Sequence, residues 1–415
     1  MELDKIQKRE KQRIIIAVLG IIAIAIAAFV AFKLKDDKKE DPYKPNEVKT
    51  SDLDYSFLKL EDDNKNLIYS PLSIKYALSM LNEGASGKTK EEITKVLGNY
   101  ELTKYENIDK VLSLANSIFI RDIYKEYINQ EYVQTLEDKY NAEVIYDVFK
   151  DAERVNKWIE DKTFGIIKNM LQDNIVQDPN TKILLVNALA IDMAWYYRFE
   201  NEDTHKATFT VGDKTLDVAM MNMGLKSDVI KYFVDDEFTS VALPLQEYEG
   251  VQLEFVAIMP NSDLHKFVTS DEFDSKINNV LSNLKTNNEV RYSISLPRFE
   301  FDKRLNLSAD LQKLGVNLAF SADADFTKMG STKLYVSDVL HKADIKLSER
   351  GIKAAAATVI VVKDNAIIEP EQVETVKLNF NKPFVFVIRD VKTGEIWFVG
   401  DVYEPVLWEN VKDNY

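Results

Sequence analysis

Three histidines, His205, His265 and His341, are the first candidates in this chain for acid–base or metal chemistry. They lie far apart in the sequence, and neither an HExxH nor a GxSxG motif is present. The chain has no cysteine, which excludes thiol nucleophiles, disulfides and thiolate metal sites. The sequence therefore predicts no catalytic residue, no metal site and no cofactor, and we expect that the chain is not an enzyme.

The composition indicates a globular chain with an acidic surface. Of its 415 residues, 46% are hydrophobic, which is enough for a full core, and the net charge is −15. An acidic surface repels phosphate backbones, so we expect no nucleic-acid partner. Gly87-Lys88-Thr89 matches the end of a phosphate-binding loop, but Asn82 stands where the first glycine of that motif belongs. We interpret the segment as a turn between two helices.

Residues 348–366, SERGIKAAAATVIVVKDNA, carry conflicting structural signals. The run of alanines favours a helix, whereas the β-branched run that follows it favours a strand. A glycine precedes both runs, and a polar stretch follows them. From composition alone, an alanine-rich helix followed by a buried strand remains an alternative to one long strand.

Apolar residues at helical spacing predict helices over residues 70–81, 88–98 and 151–171. Ser70 and Pro71 form a favourable start for the first helix. Thr89 and Glu92 have the spacing of a capping box in the second, which Gly98 should end.

Strand patterns dominate the later part of the chain. Residues 181–192 are apolar at successive positions, which indicates a strand buried on both faces. Residues 382–402 predict a hairpin that turns near Gly394. Helices early and strands late favour an α+β fold, and we expect one domain over residues 51–415 because no second linker interrupts the apolar pattern.

The N-terminus has the pattern of a membrane anchor. Residues 14–32 are uncharged and apolar, and as a helix they would reach about 28 Å, close to the thickness of a bilayer core. We expect residues 1–13 to be a cytoplasmic tail, residues 33–50 to be a flexible charged linker and the folded domain to lie outside the cell. A cleaved signal peptide, with Ala25-Ile26-Ala27 as its site, and hence a secreted protein, is the alternative.

Five stretches that occur in order along the chain resemble the serpin family. They are SPLSIKYALSMLNEGASGKT from Ser70, VNKWIEDKTFGII from Val155, VNALAIDMAWYYRF from Val186, VSDVLHKADIKLSERGIKAAAAT from Val336 and FNKPFVFVIRDVKTGEIWFVGDVYEP from Phe380. The resemblance, over about residues 55–405, implies a single domain with three β-sheets and about nine helices. Within this family, the chain most resembles an inhibitory, membrane-anchored bacterial serpin.

In inhibitory serpins a reactive loop is bait for a protease and inserts into the main sheet after the first cleavage step. The resemblance makes residues 349–380 that loop. The implied hinge and inserting residues are Glu349, Gly351, Ile352, Ala354, Ala355, Ala356, Ala357 and Thr358. The resemblance also implies a polar gate cluster, a hydrogen-bonded group under the opening strands, formed by Ser70, Ser73, Asn187 and His341.

The loop sequence suits insertion because a strand sorts alternate side chains onto two faces. One row has no charge and can enter a core: Ile352, Ala354, Ala356, Thr358, Ile360 and Val362. The other is charged at both ends and can lie outside: Lys353, Ala355, Ala357, Val359, Val361 and Lys363. We expect Gly351 to supply backbone freedom at the hinge.

The bait bond follows from a count along the loop. Counting from Glu349 as the hinge acid places it between Asn365 and Ala366, which would suit an asparagine-specific cysteine protease. The alternatives are the bond between Lys363 and Asp364, for a trypsin-like enzyme, and Val361 or Val362, for an elastase-like enzyme.

The partners expected from these features are a target serine or cysteine protease, in a covalent complex, and the membrane. Residues 97–115 carry few basic side chains, so we expect no heparin-type activator, and we expect a monomer. Two functions remain open. The first is inhibition by suicide trapping, and the second is a non-inhibitory binding or chaperone role at the cell surface.

Overall fold

The computed structural model describes residues 53–353 and 373–411. The helices are α1 (Leu53–Glu61), α2 (Pro71–Gly84), α3 (Gly87–Leu97), α4 (Gln130–Tyr140), α5 (Glu153–Lys162), α6 (Asp173–Gln177), α7 (Leu264–Val268), α8 (Phe273–Ser282) and α9 (Ser308–Lys313). The strands are β1 (Leu67–Tyr69), β2 (Leu112–Arg121), β3 (Ala142–Asp147), β4 (Ile183–Ile191), β5 (Met193–Ala194), β6 (Thr204–Val211), β7 (Lys214–Leu225), β8 (Lys231–Val234), β9 (Phe238–Pro244), β10 (Leu253–Pro260), β11 (Arg291–Pro297), β12 (Phe299–Asn306), β13 (Leu340–Ser348), β14 (Gly351–Ile352), β15 (Thr375–Asn379), β16 (Phe384–Asp390) and β17 (Ile396–Val402).

The described strands form four hydrogen-bonded sheets rather than the implied three. The largest has the order β1-β17-β16-β10-β9-β8, and another has the order β15-β11-β7-β6. The other two, β12-β13-β14-β5 and β3-β2-β4, adjoin because β4 continues into β5 through Asp192. The α+β class is confirmed, and the additional sheet arises because one sheet is divided.

The six-stranded sheet forms the centre of the core. Every residue of β10, β16 and β17 is buried. The predicted hairpin over residues 382–402 is confirmed as β16 and β17, and Gly394 in its turn has a positive φ of 72°. This sheet gives the divided sheet a rigid base, since buried apolar side chains pack at near-crystalline density.

The start of α2 is confirmed. Ser70 caps it, with its Oγ accepting a hydrogen bond from the Ser73 N–H at 3.0 Å, and Pro71 is the first helical residue. The capping box predicted for α3 is wrong. The Thr89 Oγ instead accepts from the Asp325 N–H, and the Glu92 carboxylate accepts from the Asn317 N–H, so both side chains hold a distant loop.

The predicted helix over residues 151–171 is shorter than expected. α5 ends at Lys162 because Phe164 and Gly165 both take a positive φ, of 55° and 75°. The chain then turns back, and its apolar residues bury themselves along the sheet instead of extending the helix. A helical apolar pattern can continue past the end of a helix when the following segment also packs on the core.

In the part of the chain that the structure describes, no helix is both long enough and apolar enough to cross a bilayer. The predicted tail, anchor and linker, residues 1–13, 14–32 and 33–50, lie outside the described residues.

Candidate functional site

The two halves of the divided sheet border a gap between β4 and β13. β4 pairs with β2 from Ile191 to Ile183, and β13 pairs with β12 over its whole length except its last residue. No described strand pairs with the remaining edge of β4, and β14 pairs only with the end of β13. An unpaired strand edge is a template for a further strand, and this β4–β13 gap has two such edges.

A cavity of about 110 Å³ occupies the lower part of the β4–β13 gap. α2 lines it through Ile74, Leu78 and Leu81, which belong to the main core. The cover segment, residues 163–172, lines it through Met170 and Leu171, which belong to a second apolar cluster with alternate residues of β4. A strand in this gap would therefore have one face toward α2 and the other toward the cover segment.

The strand predicted over residues 181–192 begins at Ile183 and is not buried throughout. Its last residues are buried, but Ile183, Leu184 and Leu185 are only partly buried. These three residues border the cavity, which explains why an apolar sequence here is not accompanied by full burial.

The hinge already occupies the upper end of the gap. Gly351 and Ile352 pair with Ser348 and Leu347 of β13 on one side and with β5 on the other. A Cβ at Gly351 would overlap the Met193 carbonyl oxygen. The expectation that Gly351 supplies backbone freedom agrees with its positive φ of 148°. The structure adds a second reason for glycine here, which is the close approach of two strands.

Ile352 is 2% exposed and contacts the same small cavity as Ile68, Ile345 and Phe398. Its side chain points into the core, as the uncharged row of the loop requires. Glu349, two residues before the hinge glycine, is also buried. Its carboxylate accepts from Arg298 at 2.6 Å and from the Thr204 hydroxyl at 2.5 Å.

The gate cluster predicted from the resemblance comes together beneath the gap. The Ser70 N–H donates to His341 Nε2 at 3.0 Å, and the Ser73 hydroxyl donates to the Asn187 carbonyl oxygen of the side chain. Asn187 in turn donates to Asn116 at 2.5 Å. Asn116 is a further member of the cluster that the sequence analysis did not identify. The signal for it in the sequence is that Asn116 interrupts the apolar stretch of β2.

Burial lowers the pKa of His341 to about 4, from 6.5. Between pH 6.5 and pH 4, His341 is protonated in the unfolded chain but stays neutral in the folded chain. The unfolding free energy is therefore highest above pH 6.5 and falls as the pH drops toward 4. We expect this group alone to cost about 2 kcal/mol of unfolding free energy between pH 8 and pH 5. Urea unfolding at pH 8 and pH 5 gives the loss of unfolding free energy for the wild type and for His341→Gln. The difference between these two losses is the contribution of His341. Equal dependences would contradict the assignment.

Asn156 of α5 holds the cover segment through a double hydrogen bond. Its side-chain amide donates to the Leu171 carbonyl at 2.9 Å and accepts from the Leu171 N–H at 2.8 Å. This residue was also missed, although it interrupts the apolar face of the predicted helix.

Asn156→Ala should lower the unfolding free energy by about 2 kcal/mol, because both Leu171 backbone groups lose their partner in a largely buried position. Urea unfolding measures the change, and Lys157→Ala on the exposed side of α5 is the matched control. An unchanged midpoint for Asn156→Ala would show that other contacts hold the cover segment.

The remaining predicted loop residues lie outside the described residues. They are the inserting residues Ala354, Ala355, Ala356, Ala357 and Thr358, and the bait-bond candidates Val362, Lys363, Asp364, Asn365 and Ala366.

Comparison with known protein families agrees with the divided sheet and the gate cluster. A family model for serpins, described as serine protease inhibitors, matches residues 54–405. The chain therefore belongs to the serpin family, whose members are generally protease inhibitors rather than enzymes and generally form complexes with target proteases.

Individual relatives agree with this assignment. An uncharacterized serpin-like protein of Thermococcus kodakarensis is 30% identical over 393 residues, which cover 89% of this chain and 88% of that protein. Neuroserpin of Mus musculus is 27% identical over 384 residues, which cover 85% and 89%. The native crystal structure of tengpin, a thermophilic serpin, matches with a TM-score of 0.71 and 28% identity over 87% of this chain and 97% of tengpin.

Proposed function

We propose that this chain inhibits a serine or cysteine endopeptidase by suicide trapping. The observation that supports this most is the β4–β13 gap with Ile352 buried at its upper end. The strand that would fill the gap has already started, and its continuation is the loop itself. Extending a started strand avoids the cost of nucleating a new pairing.

The register of the hinge supports a defined inserted state. Ile352 pairs with Leu347 in antiparallel register. Continuing this register along β13 would bring Thr358 opposite His341 and Val362 opposite Ser337. Thr358 belongs to the uncharged row. Insertion would therefore bring a small hydroxyl side chain, and no charged group, to the gate cluster.

The chemistry is supplied by the protease. Its hydroxyl or thiol attacks the carbonyl carbon at the bait bond, for which we propose the bond between Asn365 and Ala366. The peptide C–N bond then breaks, and the departing amine takes the proton. The acyl-linked loop can now extend into the gap, over about 46 Å if residues 351–365 become a strand. Burying a few hundred Å² of apolar surface would contribute on the order of 10 kcal/mol, which can distort the protease before it hydrolyses the acyl bond.

We also propose that residues 14–32 anchor the chain in the cell membrane as a single span, with residues 33–50 as a tether and the serpin domain outside. Residues 14–32 are uncharged over a length that can span a bilayer, and the tether that follows is charged and contains two prolines. Both features support this placement. Extraction of the full chain from membranes by detergent but not by alkaline carbonate tests it. Release by carbonate would favour the secreted alternative.

The second candidate is a non-inhibitory binding protein at the cell surface. Thyroxine-binding globulin in complex with thyroxine is among the similar solved structures, with a TM-score of 0.69 and 23% identity, so this fold also occurs in a ligand carrier. The uncharged inserting row of the loop favours the inhibitory function.

The full chain, purified in mild detergent, can be incubated with trypsin, pancreatic elastase and an asparagine-specific endopeptidase. We expect a complex that survives SDS with at least one of them, and sequencing of the released C-terminal fragment identifies the bait bond. Cleavage in the loop without any SDS-stable complex would instead support the non-inhibitory candidate.

A further inference from the structure

Four carboxyl groups, which we call the carboxyl junction, meet at the C-terminal end of α1. Glu61, the last residue of α1, lies within hydrogen-bonding distance of the Asp310 carboxyl group in α9. Asp62, the next residue in the chain, acts electrostatically on Asp401 of β17. The side chains of Asp62 and Asp310 are 0% and 2% exposed, and Asp401 is fully buried. Carboxyl groups that share a buried site favour the retention of protons, because their charges repel away from water.

Two buried oxygen atoms of the carboxyl junction lack a donor. Asp401 Oδ1 accepts from the Leu67 N–H at 2.9 Å, and Asp310 Oδ1 accepts from Lys313 Nζ at 2.8 Å. The Oδ2 atoms of both aspartates are buried, and no N–H or O–H group of the described residues donates to either of them. A buried carboxylate oxygen without a donor is costly, and a proton bound at the site removes much of that cost.

Asp62, in contrast, has partners for both of its oxygen atoms. Oδ1 accepts from the Asn64 N–H at 3.1 Å and from the Tyr403 hydroxyl at 3.3 Å, and Oδ2 lies 2.9 Å from His265 Nδ1. These contacts suit the ionised form of Asp62, whereas the missing donor at Asp401 Oδ2 suits the protonated form. Two carboxyl groups in such unlike environments take different protonation states.

The groups that face Asp401 favour its protonated form. Burial raises the pKa of Asp401 well above its usual range, and the charge of Asp62 raises it further. Asp63 acts in the same direction, whereas the Leu67 N–H and Lys303 of β12 lower the pKa without offsetting the increase. Asp401 therefore keeps its proton to a higher pH in the folded chain than in the unfolded chain.

Glu61 is the protonated member of the other pair. Burial raises its pKa first, and the hydrogen bond with Asp310 and the charge of Asp310 raise it further, whereas Lys303 and Lys313 lower it. Asp310 is ion-paired with Lys313, which suits its ionised form. A protonated Glu61 can then donate to Asp310 and join the end of α1 to α9.

We propose that the carboxyl junction is a pH-sensitive fastening of α1, in which Glu61 and Asp401 retain their protons at neutral pH while Asp62 and Asp310 are ionised. A carboxyl group that binds its proton more tightly in the folded chain stabilises the fold at low pH. That stabilisation is lost as the pH rises above about 4 and through the range in which the folded junction ionises. The direction is opposite to that of His341, and the inference does not depend on protease trapping.

β1 connects the carboxyl junction to the gate cluster. Asp401 holds the N–H of Leu67, the first residue of β1, and Ser70 directly follows β1 and donates to His341. Ionisation of Asp401 beside the ionised Asp62 would push β17 and the end of α1 apart. The junction thus makes the attachment of α1 and β1, the elements that lead into the gate cluster, weaker in alkaline surroundings.

The test compares two double variants with the wild type, each as the full chain in mild detergent. The junction variant, Glu61→Gln with Asp401→Asn, replaces the two protonated groups by amides that stay neutral at every pH and can still donate. The control variant, Asp109→Asn with Glu126→Gln, removes two exposed carboxylates. Urea unfolding of all three proteins is measured at pH 5 and pH 9.

Between pH 5 and pH 9, we expect the unfolding equilibrium constants of the wild type and the control variant to rise at least about tenfold more than that of the junction variant. Each unit by which a folded-state pKa is raised changes this constant tenfold. His341 is present in all three proteins, so its own pH dependence cancels in the comparison. Equal pH dependences for the three proteins would overturn the proposal.

Infrared spectroscopy at pH 7 detects the retained protons directly, because a protonated carboxyl group absorbs at a higher frequency than a carboxylate. We expect the folded wild type and the control variant to show a band from protonated carboxyl groups, and the junction variant to show a weaker one. A folded wild type without such a band would overturn the proposal even if the junction variant did not fold. A junction variant that folds and keeps the full band would overturn it as well.

Discussion

Cleavage of the loop is expected to raise the melting temperature of this protein by roughly 10–15 °C, which corresponds to a gain on the order of 10 kcal/mol for a domain of this size. The physical reason is the β4–β13 gap. In the intact chain the two edges lack a strand partner among the described residues below Gly351 and Ile352, and a cavity of about 110 Å³ remains between them. A nicked loop can supply the missing hydrogen bonds and fill that cavity. Differential scanning calorimetry of intact and nicked protein measures the effect.

Two substitutions in the loop give this prediction its controls. Thr358→Arg would place a charge in the row that enters the core, so the nicked variant should lose most of the gain. Val359→Arg would place the same charge in the row that faces the cover segment, where the long side chain can reach solvent past the edge of that segment, so this variant should keep more of the gain than Thr358→Arg. Superimposable melting curves for intact and nicked wild type would contradict the existence of any stored free energy and, with it, suicide trapping.

Ile352→Arg is expected to abolish SDS-stable complex and convert the chain into a substrate that is cleaved in its loop and released. Ile352 is buried in the intact protein beside Ile345 and Phe398, so an arginine there cannot stay without burying an unpaired charge. The hinge would instead leave the gap, at a cost of about 3 kcal/mol in lost apolar burial and strand pairing. After cleavage, the loop would then have to insert without any residue already paired. We expect this insertion to be slower than hydrolysis of the acyl bond.

Stoichiometry of inhibition and urea unfolding together measure this second effect. Ile352→Val conserves the apolar character at this position and should cost about 1 kcal/mol or less while keeping inhibition. Lys353→Ala, at the next position and on the outward row, should also keep it. An Ile352→Arg protein that traps protease with wild-type stoichiometry would show that the buried hinge plays no part in insertion.

Local signals were reliable where a short stretch decides its own structure. Ser70 and Pro71 start α2 because a cap and a fixed φ act within one turn. The hairpin of β16 and β17 follows from two apolar runs and one glycine turn. Signals that compete with distant contacts were less reliable. Thr89 and Glu92 have the spacing of a capping box, yet both bind a loop more than 200 residues away in sequence.

Residue type and order alone were sufficient for the alternation of the loop and for the absence of cysteine chemistry. The four residues of the gate cluster came from the resemblance to the serpin family and not from any pattern within the chain. Only the tertiary structure decided that Ile352 is buried before cleavage, that Gly351 is needed for close approach, and that β4 and β13 stand apart. The physical reason is that strand pairing between residues so distant in sequence depends on how helices and sheets pack around both edges. No local pattern in β4 or β13 records whether the neighbouring edge is occupied.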